Sequence, residues 1–162
     1  MRLKVLNTTS DKSIAAAVAE KIQEIYRLQT TVQETFLTEM EKAYNPARRQ
    51  YDVSILMNYV KPKEGYELII TDKDLYVPGL NFVFGYAPGR GAIVSIYRLR
   101  SRDESLTRER AVKEAVHEVG HLLGLRHCST QGCVMNFSNS VYEVDSKGEK
   151  PCHRCLSKII SS

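Results

Sequence analysis

The segment His117-Glu118-Val119-Gly120-His121-Leu122-Leu123-Gly124-Leu125-Arg126-His127 gathers three imidazoles and a carboxylate into one short stretch. On a helix, residues four apart lie on one face a turn apart, so His117 and His121 can bind one metal ion together. Glu118 projects beside them, within reach of a water on that metal but displaced from the ligand direction. Gly124 stands where the helix must stop, because glycine accepts the positive φ of a C-terminal cap. Beyond that turn His127 can return as a third ligand. Three protein nitrogens and one open position describe a catalytic zinc rather than a structural one. Zinc lowers the pKa of its bound water toward ~7, and Glu118 is then the general base that takes the water's proton and passes it to a leaving amine. Paired histidines on a helix are often only core or surface residues; here the helix, the glycine and the third histidine agree.

All four cysteines follow the third histidine. Four residues separate Cys128 from Cys133, eighteen separate Cys133 from Cys152, and two separate Cys152 from Cys155. Two short cysteine pairs divided by a loop are the usual layout of a closed, tetrahedral four-thiolate zinc site. His153 is a possible substitute ligand, but four thiolates already complete the tetrahedron. A pair of disulfides is disfavoured in a reducing compartment, and a redox-active C-x-x-C normally follows a strand of a thioredoxin-like unit. The expectation is two zinc ions per chain, one catalytic and one structural. Cys128 directly follows His127, so one peptide unit joins a ligand of each metal, and the structural site should pre-organise the catalytic one.

The elements that must position these residues are legible in outline. Residues 2–7 read as a buried strand. Ser10 and Asp11 can cap a helix through about Tyr26, with Ile14, Val18, Ile22 and Ile25 on one face. Residues 30–37 read as a strand, and Pro46 as the opening of a helix that continues through Tyr51, Leu56 and Tyr59. Residues 66–71, Asn81–Tyr86 and Ala92–Tyr97 read as strands, the last two joined by Ala87-Pro88-Gly89-Arg90-Gly91. A helix from about Leu106 to Leu123 carries the histidine motif. After Gly124 the chain is rich in Gly, Ser and Asn with little periodicity. The predicted fold class is α/β or α+β, a mixed sheet with an active-site helix and an irregular, zinc-stapled C-terminal part.

A length of 162 residues suits a single domain, here with an N-terminal subdomain over about 1–124 and a C-terminal subdomain over about 125–162. No stretch approaches the roughly 20 apolar residues of a membrane span, and the first residues have no secretory character. A cytoplasmic monomer is expected. The net charge of +4 is mild. The basic run Arg98-Leu99-Arg100-Ser101-Arg102 is followed by Asp103 and Glu104, which reads as a solvated face and not a nucleic-acid groove. The partner expected is a peptide or protein bound in extended form, with no nucleic acid and no membrane.

The long histidine motif is the metzincin signature. With Cys128 straight after His127, then Cys133, Met135, Cys152 and Cys155, the pattern resembles the archaemetzincins, and Leu80–Gly85 is also similar to that family. The interval from Met135 to Cys152 is sixteen residues, about one shorter than the family's. The resemblance implies a compact α/β metzincin domain, one catalytic and one structural zinc, and peptidase activity. It implies that Met135 packs in a turn beneath the histidines. Some metzincins carry a tyrosine ligand two residues after that methionine; Phe137 holds the position here and cannot bind zinc. It also implies that Ala92-Ile93-Val94-Ser95-Ile96 is an edge strand that pairs antiparallel with substrate. The alternative to a zinc metallopeptidase is a zinc-stabilised peptide-binding module with vestigial hydrolysis. The retention of Glu118 argues for the enzyme.

Overall fold

The structure, a computed structural model, describes residues 1–160. It opens with strand β1 (Arg2–Asn7), helix α1 (Lys12–Tyr26) and strand β2 (Gln29–Glu34). Asp11 alone caps α1, its carboxylate accepting from the Ser13 and Ile14 amides. There follow short strands β3 (Tyr44–Asn45) and β4 (Gln50–Asp52), a single helical turn α2 (Val53–Leu56), then β5 (Tyr66–Thr71), β6 (Leu75–Tyr76), β7 (Gly85–Tyr86) and β8 (Gly91–Ser95). Helix α3 (Glu104–Leu122) carries the histidine motif, and α4 (Val141–Ser146) and α5 (His153–Ile160) lie in the C-terminal part. Among the described residues no helix is long and apolar enough to cross a membrane.

The main sheet has the order β2-β1-β5-β8-β7. Its first four strands are parallel and β7 runs antiparallel to β8, with Gly85 opposite Val94 and Tyr86 opposite Ile93. The mixed sheet agrees with the sequence reading. Strand β5 shows why the middle must be apolar: Leu68 and Ile70 turn to the cluster formed with α1 and α3, while Ile69 turns to a second cluster with Leu56, Met57 and Leu75. A parallel strand covered on both faces needs this unbroken run.

Three expectations require correction. The helix drawn from Pro46 begins only at Val53, capped by Asp52 through the Ser54 amide at 3.0 Å. Residues before it form the β3–β4 hairpin. Asn45 accepts from the Ala47 and Arg48 amides, and Arg49 takes φ 54°, which closes a turn rather than a helix. Pro46 is therefore a turn proline, and β4 pairs with β3 across the turn and with the distant β6 on its other side. Second, the strand expected over Asn81–Tyr86 is regular only at Gly85–Tyr86, with Val83 making one isolated bridge to Leu75. Third, the strand containing Ala92–Ser95 is not an edge. It is hydrogen-bonded on both sides, and β7 forms the edge instead. The C-terminal part also holds two short helices that its weak periodicity did not announce.

Helices α1 and α3 pack on one another and on the sheet face beneath them. Ala111, Ala115 and Val119 of α3 are buried there. Tyr26, at the end of α1, donates its hydroxyl hydrogen to the Val116 carbonyl at 2.8 Å, one residue before the first motif histidine. Tyr26→Phe should lower stability by about 1 kcal/mol, the usual net value of one such bond. A urea titration checks this, and an unchanged midpoint would remove the bond from the account.

Candidate active site

Helix α3 starts at the Asp103 cap and delivers His117 and His121 to its last turn and a half. The helix ends as the glycine predicts: Gly124 takes φ 96°, and the Leu125 amide bonds back to the Gly120 carbonyl at 2.9 Å. That turn also presents the Leu125 carbonyl to His121 Nδ1 at 2.8 Å. His117 Nδ1 meets the Val134 carbonyl at 2.8 Å. A carbonyl only accepts, so both Nδ1 atoms carry the proton and both Nε2 lone pairs are free. The two Nε2 atoms face each other at 3.1 Å. Ligand atoms of His117, His121 and His127 all lie within 4.8 Å of one another. Converging, unprotonated imidazole nitrogens with second-side anchors fit a divalent transition metal such as zinc.

Met135 is fully buried behind these rings, and its packing explains a residue that the sequence reading passed over. A Cβ on Gly120 would lie 2.5 Å from Met135 Sδ and 2.8 Å from Tyr26 Oη. The glycine inside the motif is therefore the contact surface for the methionine turn. Phe137 follows on the exposed side, its ring 5.4 Å from that of His127. A phenyl ring offers no ligand atom to a metal.

Glu118 is buried in the wall of a cleft of about 910 Å³ that runs between α3, β7 with the residues before it, and the segment after Met135. Gly85 makes this possible. A Cβ there would meet Glu118 Cγ and the Ile93 carbonyl, each at 2.8 Å. The edge strand β7 can thus lie directly over the carboxylate. Burial, and after it the charge of Glu114, pushes the Glu118 carboxyl well above the ordinary carboxylate range. Glu114 itself is buried against Lys147, with Nζ 3.3 Å from Oε1. Neither residue was singled out from the sequence. Their pairing spans thirty-three positions and carries no local signal.

The four cysteines meet on the other side of the same backbone. Their sulfurs lie within 4.8 Å of one another, and all four are free thiols. Cys128 Sγ is 3.8 Å from Cys152 Sγ, and Cys133 Sγ is 3.9 Å from Cys155 Sγ, both far beyond a disulfide bond. Amides of Thr130 and Cys152 point at Cys128 Sγ and Cys133 Sγ. The Cys155 amide, at the start of α5, holds the Cys152 thiol down to about 6. Such donors favour thiolates, as a four-sulfur metal site requires. His153 is exposed and outside the group. The Cys128 amide bonds the Met135 carbonyl at 3.0 Å, and the Asn136 side chain donates to the Cys128 carbonyl at 2.6 Å. The residue that follows His127 is thus pinned from both ends.

Burial, with the charge of Lys147 next, pushes His117 down to about 3. In the metal-free protein the unfolded chain takes up a proton near pH 6.5 that folded His117 refuses until about pH 3. This contribution to stability is whole above pH 6.5 and is lost as pH falls toward 3, at about 1.4 kcal/mol per pH unit. Melting of the metal-free wild type should therefore fall more steeply over that window than melting of His117→Gln. Parallel curves would contradict the assignment of a buried neutral imidazole.

Residues 10–161 match peptidase family M54. The archaemetzincin of Archaeoglobus fulgidus is 51% identical over 120 residues, covering 73% of this chain and 74% of that protein. That of Methanopyrus kandleri is 48% identical over 120 residues, covering 71% and 69%. Among solved structures, the A. fulgidus archaemetzincin complexed with malonate superposes with a TM-score of 0.88 at 40% identity, covering 98% of this chain and all of that one. The M. kandleri archaemetzincin superposes with a TM-score of 0.90 at 39% identity, covering 99% and 94%. With its helix-borne histidines, its methionine turn and its cysteine cluster in this fold, the chain belongs to peptidase family M54, the archaemetzincins, and is a zinc metallopeptidase.

Proposed function

We propose that the cleft hydrolyses peptide bonds with zinc held by His117, His121 and His127 and with Glu118 as general base, while Cys128, Cys133, Cys152 and Cys155 hold a second, structural zinc. The observation that carries this reading is the histidine set itself: two imidazoles with Nδ1 anchored on carbonyls and Nε2 turned inward, beside a buried carboxylate on the same helix. Zinc bound there supplies Lewis acidity at the scissile carbonyl and acidifies a water.

The remaining work falls to side chains and backbone. Among the described residues the outer edge of β7 has no strand partner, so an extended peptide can pair with Gly85 and Tyr86 through main-chain hydrogen bonds. That pairing sets the scissile carbonyl over the metal cleft with little demand on sequence. Glu118 takes a proton from the attacking water and delivers it to the leaving amide nitrogen. Its raised proton affinity, caused first by burial, makes it a stronger base toward the water's proton than an ordinary carboxylate. His127, the third ligand, is exposed toward the cleft mouth, and Phe137 covers one side of its ring.

Glu118→Gln should lower kcat by about 10²–10⁴-fold with zinc content unchanged, because the residue handles protons and does not ligate. A peptide-library digest read by mass spectrometry tests this, and full activity in the variant would exclude Glu118 as the base. The metal assignment has its own readout. Zinc-loaded protein should contain two zinc ions per chain and show both Zn–S scattering at about 2.3 Å and Zn–N scattering at about 2.0–2.1 Å by X-ray absorption. One zinc per chain with four reactive thiols would remove the second site.

A further inference from the structure

Tyr86 borders two cavities. One is the metal cleft; the other is a recess of about 500 Å³ whose walls include Met57, Val60, Tyr86 and Pro88, together with the exposed side chains of Lys61 and Arg90. The pleat of β7 explains this division, because successive side chains of a strand point to opposite faces. Gly85 turns to the α3 face, where a Cβ would meet Glu118. Tyr86 turns to the other face and packs against the cluster that contains Met57 and Val60. A peptide paired with the outer edge of β7 inherits the alternation. Its residue opposite Gly85 directs a side chain to the face of the metal cleft, and its residue opposite Tyr86 directs one to the face of the recess. The charge of the recess is one-sided. No acidic side chain lines it, and among the described residues neither Lys61 nor Arg90 forms an ion pair. Arg90 is tied down next to β5: its guanidinium carbon lies 5.7 Å from the centre of the Tyr66 ring, and its carbonyl accepts from the Glu67 amide at 3.2 Å.

We propose that this recess is a substrate subsite for an acidic side chain, glutamate above all, and that Lys61 and Arg90 set the preference. The proposal rests on the peptidase reading and on the pairing of substrate with β7. Main-chain pairing tolerates any sequence, so selectivity must come from the places where alternate side chains land. An apolar wall beside two cations suits a long stem that ends in a carboxylate. The stem of a glutamate covers Met57 and Val60 while its carboxylate meets the ammonium and the guanidinium, the second of which can bind it through two parallel N–H groups. A substrate lysine at the same position meets two like charges. A glutamine keeps the stem and loses the charge, so it separates the two contributions.

The test uses the zinc-loaded full chain and peptides that carry Glu, Gln or Lys at each position in turn. At one position within a few residues of the cleaved bond, wild type should favour Glu over Lys by about tenfold in kcat/KM. Each exposed ion pair is weak, but glutamate gains two attractions where lysine meets two repulsions. Lys61→Gln combined with Arg90→Gln should bring the ratio close to one, and Lys61→Glu combined with Arg90→Glu should reverse it. Reversal is a readout that a merely structural role would not produce, and both side chains are exposed, so the fold should tolerate the exchanges. Equal cleavage of Glu and Lys peptides at every position, or a Glu preference that survives in both double variants, would overturn the subsite. The second arm needs no turnover. Glu118→Gln, zinc-loaded, is titrated with the same peptides. Tighter binding of the Glu peptides at one position, lost when Lys61→Glu and Arg90→Glu are added, supports the subsite; equal affinity for Glu and Lys peptides at every position overturns it. Glu-selective binding without any Glu118-dependent cleavage would keep the subsite and sink the peptidase reading. Glu118-dependent cleavage that is blind to substrate charge at every position would do the reverse, so the two failures are separable.

Discussion

The chain reversal at the end of α3 is the constraint on which the site depends. Past Leu123 the backbone must leave the helix axis, and Gly124 at φ 96° lets it do so within one residue. The Leu125 amide then caps the Gly120 carbonyl, while the Leu125 carbonyl orients His121 through Nδ1. One turn thus ends the helix, fixes the tautomer of a histidine already on it, and brings His127 back toward the first two rings. A side chain at position 124 would strain that conformation whatever the space around it.

The packing around this turn is set by what is small. Gly120 admits Met135 and Tyr26 against the helix between the two motif histidines, and Gly85 admits the edge strand against Glu118. The methionine segment in turn supplies the Val134 carbonyl for His117 and the Met135 carbonyl for the Cys128 amide. Sheet, helix and C-terminal part therefore converge on one layer of backbone carbonyls and amides. The buried Glu114–Lys147 pair joins the same layer through Asn136, whose side chain holds the Cys128 and Thr130 carbonyls. The proposed catalytic and structural metal sets are built on opposite sides of this shared scaffold.

What could be read from the sequence was whatever is local. The histidine spacing, the glycine stop and the cysteine pairs lie within a few residues of one another, and their geometry follows from helix periodicity and turn chemistry. The strands 2–7 and 66–71 and the Asp11-capped helix were legible for the same reason. The reading failed where a distant partner decides. Pro46 fits a helix start as well as a turn, and the pairing of Tyr51 with Tyr44 on one side and the distant Leu75 on the other settles which. Ala92–Ser95 has the composition of an edge or a central strand alike, and only the return of β7 makes it central. Glu114 and Lys147 look like ordinary surface charges until the C-terminal segment folds over α3. The glycines at 85 and 120 have meaning only as contact surfaces.

The central claim is that the cysteine set, through the His127–Cys128 peptide, organises the histidine set. The direct measurement is a titration of metal-free protein with cobalt, followed by its d–d absorption at the nitrogen site, with and without cadmium first bound by the thiolates. The account predicts cobalt affinity at the histidines about 10–100-fold higher once the cysteines hold metal, the range typical of supporting groups around a metal site. Equal affinity in the two titrations would contradict it.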